Sequence, residues 1–214
     1  MTRASDSPLA PGARSPVIDA ARLPTYAFGY QSLVWWGTVG LMAIEGMVFA
    51  LAIAVYFYVW TRVDEFPPRV MAPDLVWGVV NTAIMLLSLL PNQWAKSAAE
   101  RRDLRAVRIA LVICIVLAFA FLGVRALEFT TLNVRWDTNA YGSVVWILLA
   151  LHTTHLLTDT WDTVVLGLAV FDDGRVEGKR FVDVSENAFY WYFVVASWLP
   201  IWFVIYIAPR LLQK

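Results

Sequence analysis

The sequence predicts an all-α membrane protein, a bundle of five transmembrane helices with its N-terminus in the cytoplasm and its C-terminus in the periplasm. Three observations carry this. Of 214 residues, 59% are hydrophobic and 16% charged, and the mean hydropathy is +0.60, outside the range of soluble globular chains. Five stretches are each long and apolar enough to cross a hydrocarbon core of about 30 Å as helices. The 11 Trp, 8 Tyr and 12 Phe gather toward the ends of those stretches, as interfacial belts do. A formal net charge of zero leaves no basic footprint for nucleic acid.

Residues 1–24 are a different material, rich in Ala, Pro, Ser and Arg and without periodicity. They read as a flexible cytoplasmic tail. A cleaved signal peptide needs an apolar core, and none precedes Tyr26. The expected division is a tail over 1–30 and one transmembrane domain over 31–214.

The first span covers 32–60. Glu45 lies near its middle, and no other charged residue stands between Arg22 and Arg62. A carboxylate at that depth costs at least ~2.5–3.5 kcal/mol on insertion scales, so it faces protein or a cavity and marks a functional position. Trp35, Trp36 and Gly37 precede it, and Tyr56, Phe57 and Tyr58 follow.

The second span, 75–94, carries Asn81, Thr82 and Ser88 for interhelical bonding, and Pro91 is expected to kink or end it. The third, 107–129, has Arg125 and Glu128 in its last turn. Their i, i+3 spacing allows a pair, with Arg125 reaching for the interface. Cys114, the one cysteine, reads as a small buried hydrophobe. The fourth, 141–171, starts with Tyr141, Gly142 and Ser143, an aromatic anchor with small residues for close approach. The fifth, 188–208, follows Glu186, whose charge would favour a helix N-terminus.

Orientation follows from the loops. Arg3, Arg14 and Arg22, the five cations of 96–108 and the three of 175–180 make eleven Lys and Arg on the N-terminal side, against six on the other. The richer side belongs in the cytoplasm.

The densest polar pattern is His152, His155, Asp159 and Asp162 in the fourth span, spaced 3, 4 and 3 along one helix face. These are the chain's two histidines. Two histidines on one face of one helix cannot supply both axial ligands of a haem. No Glu-x-x-His pair of the di-metal bundles occurs, and Glu45, Glu128 and Glu186 are scattered. The residues therefore predict no catalytic, cofactor or metal site. The stripe reads as interhelical hydrogen bonds, each worth about 0.6 kcal/mol. A stand-alone metalloenzyme on His152 and His155, or a small transporter using Glu45 and the stripe, remain the alternatives from other classes.

Five short motifs occur in order. They are Trp35-Trp36-Gly37 with Glu45; Asn81-Thr82 with Ser88 among leucines; Glu128-Phe129 before Tyr141-Gly142-Ser143; His152 with His155; and Glu186, Ala188, Tyr190, Trp191, Phe193 and Val194, with Trp198 beyond. In this order they resemble subunit III of the haem-copper terminal oxidases, the cytochrome c oxidase subunit 3 family, over roughly 35–206. Five spans resemble its shorter form, which lacks the first two of seven helices.

The resemblance implies a non-catalytic subunit of a bacterial inner-membrane respiratory oxidase, in aerobic electron transport from cytochrome c to oxygen. It implies haem and copper in the partner rather than in this chain, subunits I and II as partners, and phospholipid as a ligand. It also implies support of the catalytic subunit's stability and proton uptake. Glu45 would be the intramembrane acid, with Glu128, His152, His155, Asp159, Asp162, Glu186 and Trp191 as polar-stripe, lipid or helix contacts. A quinol oxidase or a nitric oxide reductase is the alternative partner. Three positions depart from the family pattern: Tyr192 and Val195 stand where it has His and Asp, and Asp159 where it has Gly.

Overall fold

A computed structural model describes residues 23–67, 72–172 and 178–212 of the chain, so most of the tail expected over 1–30 lies outside the described residues. Five helices long and apolar enough to cross a membrane follow one another. They are α1 (Leu33–Arg62), α2 (Leu75–Glu100), α3 (Leu104–Thr130), α4 (Ala140–Phe171) and α5 (Gly178–Trp202). The last continues through a wide π turn, Phe203–Ile207, into a short α6, Ala208–Leu211. That wide turn lies between Pro200 and Pro209, each of which removes one backbone donor.

Local chemistry starts the first four helices. Side chains of Ser32, Asp74, Asp103 and Asn139 each accept from a backbone N–H of the first turn, a cap worth about 1 kcal/mol. At α4 the chain turns tightly. A Cβ on Gly142 would collide with the Arg135 carbonyl, so the close approach expected of Tyr141-Gly142-Ser143 is present. In the same loop Arg135 grips Asp137 through two bonds of 3.0 Å. That hydrogen bonding holds the Asp137 carboxyl below the usual carboxylate range.

The helices α2, α3, α4 and α5 pack in a ring, each on the next, with α5 closing on α2; α1 lies outside it, against α4 and α5. The core fills the ring with Met85, Phe121, Leu148, Leu149 and Trp198. Of α1, only Phe49 and Tyr56 are buried. The chain runs up and down. At one end Trp60 donates to Leu212 O (3.2 Å) and Arg210 to Pro73 O (2.7 Å). At the other, Arg108 donates to Val170 O (3.0 Å).

Two expectations change. Pro91 neither ends nor breaks α2, which runs on to Glu100, because packing on α3 and α5 holds the helix through the missing bond. α5 begins at Gly178, well before the apolar window, because a helix continues through polar residues once its apolar part is anchored. Glu186 therefore sits two turns inside α5, not at its N-terminus, and the dipole reading falls.

Candidate functional site

The polar residues of the fourth helix divide between two environments. The four side chains span one face of α4, but that face straddles its seam with α5. His152 and Asp159 turn into the ring and are buried, at 0% and 4% exposure. His155 and Asp162 turn toward α1.

Glu45 lies at the α1 side of that seam. Tyr190 Oη donates to Glu45 Oε2 at 2.8 Å, and His155 Nε2 lies 3.5 Å from Oε1. His155 Nδ1 is 2.8 Å from the Leu151 carbonyl. A carbonyl only accepts, so Nδ1 carries a hydrogen. Nε2 then faces the Glu45 carboxylate across 3.5 Å. Glu45 and His155 thus lie side by side, with Phe49 against the imidazole at 4.8 Å between ring centroids.

From Glu45 a cleft of about 520 Å³ runs toward the N-terminal end of the bundle. Thr38, Asp162, Asp183 and Glu186 line it with Glu45 and Tyr190. Asp183 has Arg180 at 3.7 Å. Glu186 is 6% exposed, and its Oε2 has no hydrogen-bond partner. The spacing of four carboxylates over three helices makes an acidic path rather than a metal site; among the described residues no three His, Cys, Asp or Glu converge as ligands.

A second polar cluster ties the ring together toward the other end. Glu128 is fully buried. It accepts from Arg125 Nη1 (2.8 Å) and Asn81 Nδ2 (3.0 Å), and from the Tyr206 hydroxyl. Arg125 does not reach for the interface as expected. It is 1% exposed, its guanidinium lies 4.0 Å over the Trp198 ring, and Nη2 meets His152 Nδ1 at 3.3 Å. The inward turn gives the guanidinium three partners at once, a charge-assisted bond to Glu128 among them, with Nε left without an acceptor. His152 Nε2 lies 3.0 Å from the Val194 carbonyl. Nε2 therefore carries the hydrogen and Nδ1 accepts from Arg125, which makes His152 a neutral strut between α3, α4 and α5.

Trp191 completes a third set. Its Nε1 donates to Ser88 Oγ at 2.9 Å, and its ring stacks on Phe121. Tyr192 donates to Gln93 on α2, and Val195 is a core residue. The two departures from the family pattern on α5 thus serve packing and one interhelical bond. Sequence reasoning missed Tyr190, Tyr206, Asn92 and Asn187 as working polar groups. A Tyr in an aromatic-rich span carries no signal that separates a belt residue from an interior donor.

A family model described as cytochrome c oxidase subunit III matches residues 63–209. The chain belongs to the cytochrome c oxidase subunit III family. It is similar over 176 residues, at 22% identity, to cytochrome c oxidase subunit 3 of Thermostichus vulcanus, with 81% of this chain and 87% of the relative covered. It is 27% identical over 189 residues to a probable cytochrome c oxidase subunit 3 of Mycobacterium tuberculosis, covering 85% and 91%. The Corynebacterium diphtheriae cytochrome c oxidase subunit 3 is 26% identical over 193 residues, covering 84% and 90%.

The family-model match starts after α1, so it does not include Glu45. Coverage of 85% leaves too few of 214 residues unaligned for Glu45 to fall outside the longer comparisons. As a subunit III, the chain is a multi-pass membrane protein of a haem-copper oxidase and of respiratory electron transport. The family has no redox centre of its own.

Proposed function

We propose that this chain is the non-catalytic subunit III of a bacterial oxidase that passes electrons from cytochrome c to oxygen. It sits in the inner membrane beside subunits I and II, N-terminus in the cytoplasm, and sustains proton uptake and stability of the catalytic subunit. The family match over 63–209 carries this reading. The names of the relatives favour cytochrome c over quinol as donor.

The chemistry of the interior agrees. Its buried polar groups are largely engaged with one another across helices, as in a scaffold. The Glu45–His155 pair and the acidic cleft run toward the end that carries Lys96, Arg101, Arg102, Arg105, Arg108, Lys179 and Arg180, the proposed cytoplasmic side, where protons would enter. An apolar groove of about 530 Å³ beside Arg105 and Arg108 suits a phospholipid, its phosphate on the arginines and its acyl chains along Ile109, Val112 and Ile113. The barely buried α1 supplies a face for lipid or for a neighbouring subunit.

The test is oxygen consumption by the complex in liposomes with and without this chain. The initial rate should be little changed, while activity should decay sooner under turnover when the chain is missing. Equal durability would overturn the supporting role.

A further inference from the structure

Asp159 is the buried member of the α4 stripe for which no side-chain hydrogen bond is found. It is 4% exposed, and its Oδ1 has no hydrogen-bond partner. It borders a cavity of about 30 Å³ between α2, α3, α4 and α5. A water-sized guest needs roughly 10–15 Å³ of such space, so the cavity has room for one or two.

The surroundings decide what kind of guest. From α2 the cavity is lined by Ser88 and Asn92, from α3 by Cys114, and from α5 by Asn187 and Trp191. On α4 itself the next charged group is Asp162, another acid, and beyond Asn187 on α5 stand Glu186 and Tyr190. Among the described residues no Lys, Arg or His lines the cavity. Cations of the surrounding helices are already committed: Lys96 to Glu100, Arg125 to Glu128 and Trp198, His152 to Val194 O and Arg125, His155 to Leu151 O and Glu45. An unpaired carboxylate in an apolar interior is costly, and the missing element is one unit of positive charge.

The donor set is a single carboxylate and a single thiol, Cys114, among neutral oxygens: hydroxyls of Ser88 and Thr163 and amides of Asn92 and Asn187. Transition metals call for several imidazole or thiolate groups, not one thiol, and hard divalent cations gather several carboxylates. A small singly charged cation does not. The cavity and the acidic cleft share a wall. Asn187 Nδ2 donates to Thr163 Oγ1 at 3.0 Å, and Asn187 lines both the cavity and the acidic cleft. The cleft's carboxylates concentrate cations at that wall.

We propose that the cavity at Asp159 is a site for one monovalent cation, a proton or a sodium ion, loaded from the acidic cleft past the Asn187–Thr163 hydrogen bond. This site is independent of which partner the chain serves. Ser88, Asn92, Thr163 and Asn187 supply neutral oxygens to the guest, and Asp159 supplies the charge. Rotation of the Asn187 side chain opens the wall, and its bond to Thr163 closes it.

The experiment uses the purified native complex with the wild-type chain, Asp159→Asn and Asn187→Leu. Sodium binding is titrated by 23Na NMR with choline as the control cation. In parallel, infrared spectra in H2O and D2O record protonated-carboxyl bands. Loss of one equivalent of bound sodium in Asp159→Asn identifies the ion as sodium. No sodium difference, with one protonated-carboxyl band lost in Asp159→Asn and faster to exchange in Asn187→Leu, identifies it as a proton.

If Asp159→Asn does not assemble, the S–H band of Cys114 reports instead, isolated as wild type minus Cys114→Ser. It should shift with sodium or with pH, since the thiol lines the same cavity. Absence of both a sodium equivalent and an Asp159 carboxyl band, or of any Cys114 shift where the variant fails, overturns the proposal.

Discussion

Tyr190 on α5 donates its hydroxyl hydrogen to Glu45 on α1 across 2.8 Å, which makes the acid of the outlying helix part of the bundle. Glu45 is 21% exposed and His155 12%, so the pair borders the cleft rather than the closed core. A carboxylate placed there is anchored by Tyr190 on one oxygen and faces His155 with the other.

Glu45→Gln keeps a hydrogen-bonding side chain of the same shape but removes the ionisable group. The complex should assemble in normal yield, with reduced activity or a shorter life under turnover. Tyr190→Phe removes one bond, worth about 0.5–1.5 kcal/mol, and should leave turnover less affected than Glu45→Gln. Paired oxygen-consumption time courses check both. Wild-type behaviour of Glu45→Gln would reduce Glu45 to a packing residue.

Glu128→Ala strands Arg125 inside the ring, where breaking a buried pair costs about 3–5 kcal/mol. Reduced thermal stability of the subunit, or its loss from the complex on mild detergent washing, is expected. Arg125→Lys should not restore the wild type, because one ammonium cannot meet Glu128, His152 and the Trp198 face together. Denaturation followed by retention of the chain on the complex would show this.

Alanine usually stabilises a helix relative to glycine, by about 1 kcal/mol. At Gly78 the sign should reverse. A Cβ there would lie 2.6 Å from the Tyr206 ring, and that ring is fixed by its bond to Glu128. Overpacking of this kind costs about 1–3 kcal/mol. Gly40 faces open space, with nothing within 4 Å of a Cβ, so Gly40→Ala should be neutral or stabilising. Melting temperatures of the two variants in one detergent should move in opposite directions, or only Gly78→Ala should fall.

The proposed orientation is read with single cysteines in a Cys114→Ser background. Thr138→Cys, in the α3–α4 loop, should react with a membrane-impermeant thiol reagent in intact cells. Asp172→Cys, at the far end of α4, should react only after the membrane is opened. The reverse pattern would invert the topology.

The five spans were legible because a helix crossing lipid must be apolar over about 20 residues, and that demand is written in composition. Where the helices end was not. Past the lipid core a helix is held by caps and neighbours, so α2 outran Pro91 and α5 began ahead of its apolar window.

Glu45 and the α4 stripe stood out because charge inside a span is costly. The side of the stripe on which each member falls depends on the α4–α5 seam, which spacing along one helix does not reveal. The inward turn of Arg125 was hidden for the same reason. Its acceptors come from α3 and α4 and its aromatic platform from α5, and only packing brings them together. The ordered motifs pointed to the family before any contact was known, because they record which residues these helices present to each other.

The most direct test of the assignment is a tagged copy of this chain drawn from gently solubilised native membranes. The haem spectrum and the protein composition of what accompanies it are then read. Equimolar recovery with a large haem- and copper-bearing subunit, and with subunit II, is the predicted result. Recovery of the chain with no haem-bearing partner, or with stoichiometric metal bound to the chain alone, would contradict it.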